Sequence, residues 1–240
     1  DRSGRGREWG GAGGVPGGTG NPSVGGFGGM VRARGGSTGL SGVAEMFGAE
    51  GMLLSRCVSR EVFDKAANML NSFKDYFISH HETVYENPSP GNKKGGITTL
   101  EDKSCGCVQK GGSAPIADVI GYGDAVTAHG LNMLYGPGND LVSATAMTAA
   151  GAHIILFTTG RGTPFGAPAP TIKIASNSQL AAKKSGWIDF DAGPVADGEP
   201  ITEAAKRLFA LVLRVAGGEQ TKSEQMGFRE IAIFKDGVTL

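Results

Sequence analysis

Arg161 is the centre of a sequence, TTGRGTPFG, whose residue types are suited to binding a small acid. The planar fork of an arginine can bind a carboxylate through two parallel hydrogen bonds. The glycines beside it allow a ligand to approach the backbone, and the hydroxyls of Thr158, Thr159 and Thr163 can bind substrate oxygens. The alternative is that Arg161 pairs with an acidic side chain and stabilises a turn. The residue types alone leave both interpretations open.

Other polar loops carry groups that could move protons. The sequence SPGNKKGG contains Asn92 and Lys93, which could hold an anion, although the spacing of a phosphate-binding P-loop is absent. A lysine whose pKa falls on burial can act as a general base. We take Lys93, Lys110 and Asp140 as catalytic candidates, and Asn92 and Lys173 as further substrate-binding candidates. The alternative for the loop residues is that they are solvated and have no role in chemistry.

A metal site cannot be assembled from the sequence pattern. Cys105 and Cys107 are separated by one residue, which is not the C-x-x-C spacing of zinc and redox sites. The four histidines form no H-E-x-x-H pair, and no G-x-S-x-G nucleophile motif is present. The ligands of any metal therefore stay unknown. Three cysteines do not suggest a disulfide framework, which favours a reduced, cytoplasmic protein.

The elements that must position these residues alternate between strands and helices. Apolar spacing predicts a helix over residues 59–82 with Ser59 as its N-cap. Further strands and helices are predicted over 131–135 (strand), 141–152 (helix), 153–159 (strand), 171–176 (strand), 178–184 (helix), 201–218 (helix) and 229–235 (strand). This order implies parallel strands and right-handed crossovers. The sequence predicts an α/β fold, a mostly parallel sheet between flanking helices in a Rossmann-like three-layer arrangement, with polar loops at the carboxyl ends of its strands.

Composition limits the partners and the ordered region. The 23 basic and 23 acidic residues balance, which argues against a nucleic-acid partner, and no apolar run is long enough to suggest a membrane partner. Of the 41 glycines, 17 lie in residues 1–42, and this segment lacks hydrophobic periodicity. Composition therefore predicts that residues 1–42 are an irregular segment that is either disordered or of low complexity. We divide the rest into a helical segment, 43–86, and an α/β domain, 87–240.

The longest motifs carry a resemblance to a known family. The sequences NPSPGNKKGGITTLEDKS, FTTGRGTPFGAPAPTIKIASNS, WIDFDAG and FREIAIFKDGVTL resemble the carboxy-terminal part of the altronate and galactarate dehydratases, with the altronate branch the more similar. The resemblance implies a hydro-lyase that removes water from D-altronate to give 2-keto-3-deoxy-D-gluconate. It also implies a divalent metal, commonly Fe²⁺, and a homo-oligomer as one possible assembly. A galactarate dehydratase, a sulfolactate lyase or a non-catalytic domain of such an enzyme are the alternatives.

The glycine-rich segment departs from the family pattern. Trp9 stands where the pattern has cysteine, and Gly13 where it has aspartate. Ala12 and Pro16 replace two serines, and Gly29 and Gly42 stand where an aspartate and a glutamate are expected. Single-base changes toward glycine would explain part of this, so residues 1–42 are interpreted as a corrupted remnant of a catalytic segment. The chain is then expected to be a fragment with little activity of its own.

Overall fold

A computed structural model of the chain describes residues 7–11, 20–82 and 99–237; within these ranges the side chains of residues 7–11 and of Asp102 are left out of the description. Seven strands form one sheet, and every pairing in it is parallel. The strands are β1 (Arg7–Gly11), β2 (Ser37–Leu40), β3 (Ile116–Ile120), β4 (Leu131–Leu134), β5 (Ile154–Thr159), β6 (Thr171–Ala175) and β7 (Phe190–Asp191). The predicted α/β class with a parallel sheet is confirmed.

Helices cover both faces of this sheet. They are α1 (Gly20–Arg32), α2 (Glu50–Leu54), α3 (Arg60–Ser79), α4 (Leu100–Gln109), α5 (Asp140–Ala149), α6 (Ser178–Lys183), α7 (Ile201–Ala216) and α8 (Lys222–Gln225). Side-chain caps fix where several of them begin, since Ser59, Asn139 and Asn177 accept hydrogen bonds from first-turn N–H groups of α3, α5 and α6. Within the described residues, no helix is long and apolar enough to cross a membrane.

Strand β5 shows how the layers are held together. Its side chains alternate, because successive residues of a strand point to opposite faces. Ile154 and Leu156 pack with residues of α1 and α7, whereas Ile155 and Phe157 pack with residues of α5 and with Phe165. All six residues of β5 are buried, as expected for a parallel strand covered on both sides.

The glycine-rich segment forms the middle of the sheet. Strand β1 pairs with β2 on one side and with β5 on the other, and α1 buries Val24, Phe27 and Val31. The prediction of disorder is therefore wrong for the described residues of this segment, 7–11 and 20–42. Gly42 has a φ of 91°, a left-handed conformation that favours glycine, so its presence there needs no sequence error as an explanation.

The last predicted strand is absent from the sheet. Residues 228–235 form no helix and pair with no strand in the described part of the chain. Their backbone instead donates to side-chain oxygens, from Ala232 N to Thr145 Oγ1 at 3.0 Å and from Phe234 N to the Tyr122 hydroxyl at 2.8 Å. Burial alternates along this segment because it lies on the surface, with one row of side chains packed inward. Ile231 and Ile233 belong to the exposed row.

Strand order defines where a ligand would bind. The order is β3-β4-β2-β1-β5-β6-β7. The chain leaves β1 through α1 toward β2, while it leaves β5 toward β6 in the opposite direction. A crevice therefore opens outside the carboxyl ends of β1 and β5, and ligands of open α/β sheets bind at such switch points.

Candidate active site

A buried group of charges lies beside this crevice. Glu45 sits in a short 3₁₀ turn, Val43–Met46, that follows the carboxyl end of β2, and it is only 5% exposed. Its Oε1 lies 3.1 Å from Lys103 Nζ, and the Cys107 thiol donates to its Oε2 at 3.2 Å. Lys103, Cys107 and Lys110 have the spacing i, i+4 and i+7, so α4 and the turn that follows it present all three on one side. All three are buried.

The protonation states within this group follow from burial and from the neighbouring charges. Burial would raise the pKa of Glu45, but the charges of Lys103 and Lys110 and the thiol hydrogen bond outweigh it and hold the pKa below its usual value. Burial first, and the charge of Glu45 second, raise the pKa of Cys107 to about 12. With this pKa the thiol is protonated at physiological pH, and it donates the hydrogen bond to Glu45.

Asp140 is the second carboxyl of the group. It is the first residue of α5, directly after the sequence GPGN, and Gly138 of that loop lies against the side chain of Glu45. Burial raises the pKa of Asp140 to about 7, and the charge of Glu45 adds to the increase, whereas Lys110 and Lys103 oppose it. A carboxyl with a pKa near 7 can both donate and accept a proton at neutral pH. The structure thus brings together two predicted catalytic residues, Lys110 and Asp140.

The loop after β5 holds a second group of polar residues. Thr159 Oγ1 accepts from the backbone N–H of Arg161 at 3.3 Å and of Gly162 at 2.9 Å, so this hydroxyl braces the turn. Arg161 is exposed, and Thr163 is half-buried. A pocket of about 390 Å³ is lined by Gly160, Arg161, Asn177, Gln179, Leu180, Lys183 and Lys184. Three of these residues are cationic, which suits an anionic or polyhydroxy ligand.

Thr158 differs from its neighbours. It is 4% exposed, and its Oγ1 has no hydrogen-bond partner in the part of the chain that the structure describes. Buried hydroxyls nearly always have a partner, since leaving one unpaired is costly. Thr158 packs against Gly20, the first residue of α1: a Cβ built on Gly20 would lie 3.5 Å from Thr158 Cγ2.

The first turn of α1 connects the two polar groups. On one side Gly20 contacts Thr158, and on the other Asn21 Nδ2 donates to the backbone oxygen of Gly106 in α4 at 3.0 Å. Only β1 separates β2 from β5, so the strand ends that carry the two groups are roughly 10 Å apart. This distance matches the length of a six-carbon acid in order of magnitude.

Lys173 lies apart from both groups. It is 1% exposed in the middle of β6, with its Nζ 5.4 Å from the centre of the Phe165 ring. Burial lowers its pKa to about 8, against the opposing charges of Asp189 and Glu230. It shares a sheet face with Phe165 and not with Thr158, because the side chains of β5 and β6 alternate. Its surroundings indicate a packing role; contact with substrate stays a prediction that this position does not favour.

Sequence reasoning missed Glu45, Lys103 and Cys107. Glu45 stands among apolar residues, where an isolated carboxylate has no motif around it. The spacing of Lys103, Cys107 and Lys110 was the available signal, because it places three polar groups on one side of a helix. Asn92 and Lys93 lie outside the described residues, so their roles stay predictions.

The described residues do not fit a complete metal site. Across 7–11, 20–82 and 99–237, no three His, Cys, Asp or Glu side chains are grouped closely enough to hold a metal ion. Glu45 and Cys107 are adjacent, but the carboxylate of Glu45 is paired with the ammonium of Lys103. The prediction of Fe²⁺ therefore finds no ligand set among the described residues.

A parallel sheet with a buried group of charges beside its switch point defines the chain as a Rossmann-like α/β domain. Comparison with known proteins identifies the family. The model of the D-galactarate/altronate dehydratase C-terminal domain matches residues 6–239, and the chain belongs to this family. The match includes the glycine-rich segment; whether that segment is corrupted stays a prediction.

Three relatives illustrate the similarity. The altronate dehydratase of Escherichia coli (strain K12) is 52% identical over 98% of this chain and 48% of its own length. That of Bacillus subtilis (strain 168) is 51% identical over 96% of this chain and 47% of its own length. The L-threo-forming galactarate dehydratase of E. coli (strain K12) is 36% identical over 90% of this chain and 42% of its own length. The chain spans about half the length of these relatives.

Proposed function

We propose that this chain carries the acid–base chemistry of a sugar-acid hydro-lyase that converts D-altronate into 2-keto-3-deoxy-D-gluconate. Family membership supports the reaction class, and the similarity to two altronate dehydratases supports the substrate. The observation that carries the assignment to these residues is the buried group around Glu45 beside the switch point, in which burial raises the pKa of Asp140 to about 7. We further place the reaction in the cytoplasm.

The reaction needs two proton movements. The proton on C2, next to the carboxylate, is removed, and the resulting negative charge spreads onto the carboxylate oxygens as an enediolate. The C3 hydroxyl then leaves with an added proton as water, and the enol product tautomerises to the 2-keto acid. Each step requires a group that changes protonation state near neutral pH, together with a cation near the enediolate.

Asp140 is suited to move the protons, and Lys110 is suited to supply the cation near the enediolate. Asp140 exchanges its proton near neutral pH, so we assign the proton movements to its carboxyl. Lys110 interacts with both Asp140 and Glu45, and its ammonium supplies the positive charge that stabilises an enediolate. Arg161 and Thr163 follow β5 on the other side of the crevice, where we place the hydroxyls of the substrate.

The test is formation of a 2-keto-3-deoxy acid from D-altronate. We would assay the chain alone and a chimera in which it replaces the matching region of the E. coli altronate dehydratase, each with and without Fe²⁺. The chimera is expected to turn over altronate, and Asp140→Asn in it to lower kcat by about 100-fold or more. An Asp140→Asn chimera with parental kcat would refute the role of this carboxyl, and a folded chimera with no turnover would refute the function.

A further inference from the structure

We propose that the first turn of α1 and the hydroxyl of Thr158 form the binding site for the carboxylate of the substrate. The site lies between the carboxyl ends of β1 and β5, at the switch point of the sheet. The inference rests on the proposed function for the identity of the acid, but the contacts that carry it do not depend on any reaction.

The unpaired hydroxyl of Thr158 is the first observation. The side chain is 4% exposed, and Oγ1 meets no hydrogen-bond partner among the described residues. A valine would fill the same volume without burying a polar atom, so the hydroxyl destabilises the fold unless a ligand pairs with it. A carboxylate oxygen accepts hydrogen bonds only, and a threonine hydroxyl can donate one to it.

The start of α1 is the second observation. The first N–H groups of a helix have no partner inside the helix, and in α1 these include the N–H groups of Gly20 and Asn21. The helix is 13 residues long and has no acidic residue in its first turn, so no carboxylate of that turn offsets the positive end of its dipole. A helix start of this kind binds anions. The Cβ and Cγ2 atoms of Thr158 pack directly against Gly20, so this side chain lies beside the first turn of α1.

The position of the site relative to the acid–base group is the third observation. Asn21 donates to the backbone of Gly106, and Gly106 lies between Lys103 and Lys110 along α4 and its last turn. The start of α1 therefore lies beside the helix that leads to Lys110, and we place C2, the carbon next to the carboxylate, on this side of the crevice. Dehydration requires this arrangement, because the proton is removed from C2.

Arg161 is the competing site for the carboxylate. It is exposed, and its pocket faces α6, with Lys183 and Lys184 on the far side of β5 from the acid–base group. A carboxylate bound there would place C2 away from Asp140. We therefore assign Arg161 to the distal end of the substrate, where a six-carbon acid has hydroxyls and a diacid has its second carboxylate.

The test compares Thr158→Val with Thr158→Ser and Arg161→Lys in the complete chain. Binding of D-altronate is measured by calorimetry and by the amide NMR shifts of Gly20 and Asn21, with the corresponding alditol, which has no carboxylate, as the control ligand. Thr158→Val is expected to weaken altronate binding by about 10-fold while its Tm is equal to or above that of the parent. Thr158→Ser keeps the hydroxyl and is expected to bind within about 3-fold of the parent. The alditol is expected to leave both amides unshifted.

Several results would overturn the assignment. Parental affinity in Thr158→Val together with a loss in Arg161→Lys would place the carboxylate on Arg161. A lower Tm in Thr158→Val would show that the hydroxyl already has a partner. No binding of either altronate or galactarate by the parent would remove the site altogether. If altronate binds with the expected amide shifts but the chimera shows no turnover, the proposed function is refuted and the carboxylate site is supported.

Discussion

Replacing Glu45 by glutamine tests the buried charge group most directly. The substitution leaves Lys103 buried beside a neutral amide and removes the charge that the Cys107 thiol donates to. Removing one partner of a buried ion pair costs about 3–5 kcal/mol, and a weakened hydrogen bond adds about 1 kcal/mol. Asp140 can ionise in response and offset part of the uncompensated charge. We therefore expect Glu45→Gln to lower the free energy of unfolding by about 4 kcal/mol, which for a domain of this size is a Tm decrease of about 10 °C.

The chain offers a matched control for this substitution. Glu50 also pairs with a lysine, Lys74, at 2.7 Å, but its side chain is 25% exposed and that of Lys74 is 42% exposed. Exposed pairs contribute little, so Glu50→Gln should cost below about 1 kcal/mol. Urea unfolding at about pH 7.5, followed by circular dichroism, measures the free energy of unfolding of both variants. The two values can be compared directly if the m-value is unchanged. The double variant Glu45→Gln/Lys103→Gln should lose less than the sum of its single variants.

The lowered pKa of Glu45 also predicts how the effect of Glu45→Gln on stability changes at acidic pH. Because the folded-state pKa of Glu45 is lowered, its contribution is present above the unfolded pKa, near 4.5, and is lost as the pH falls through the lower folded value. The difference between the parent and Glu45→Gln should therefore shrink below about pH 4.5. If Glu45→Gln costs no more than Glu50→Gln at pH 7.5, the group around Glu45 is not the buried ion pair that the structure shows.

Two further predictions concern groups whose pKa is shifted by burial. Asp140 has a folded pKa of about 7, whereas its usual value is 3.8. The free energy of unfolding of the parent should therefore fall relative to that of Asp140→Asn as the pH rises from about 4 to about 7, and stay level above about pH 7. Urea unfolding measures both proteins across this range, and a constant difference between them would contradict the raised pKa. Lys173 has a folded pKa of about 8, whereas its usual value is 10.5. The stability of the parent should therefore increase relative to that of Lys173→Met between about pH 8 and pH 10.5. Thermal unfolding over that range measures the two Tm values, and a constant difference between them would contradict the lowered pKa.

The regular elements of the second half could be predicted because their patterns are local. Helix α7 shows apolar residues at helical spacing, and β5 is a short apolar run between turn residues. Residues 229–235 have an equally good alternation, but a strand also needs a neighbour. The last strand at that end of the sheet is β7, and the segment lies elsewhere, across α5 and Tyr122. Pairing of this kind is not encoded in the periodicity of one segment.

The candidate site was predictable only in part, for a similar reason. Loop residues such as Asp140 and Arg161 were found because ligands bind at the carboxyl ends of strands, and the loop order could be read along the chain. Glu45 could not be found in this way, because its role comes from contact with α4, more than 50 residues later. The crevice itself depends on β1 standing next to β5, a pairing between residues about 145 positions apart.

The glycines that suggested disorder instead allow the site to form. A Cβ on Gly25 of α1 would lie 2.4 Å from the backbone oxygen of Gln109, and one on Gly112 would lie 2.8 Å from the backbone oxygen of Gly25. Helix α1 and the end of α4 can therefore approach this closely only because both residues lack side chains. The same approach brings Asn21, in the first turn of α1, to Gly106, and it brings Gly25 to Gln109 and Gly112, on either side of Lys110. The high glycine content was interpreted as a lack of packing side chains. In the structure the same glycines allow the start of α1, where we propose that the carboxylate binds, to lie next to α4 and its charged side chains.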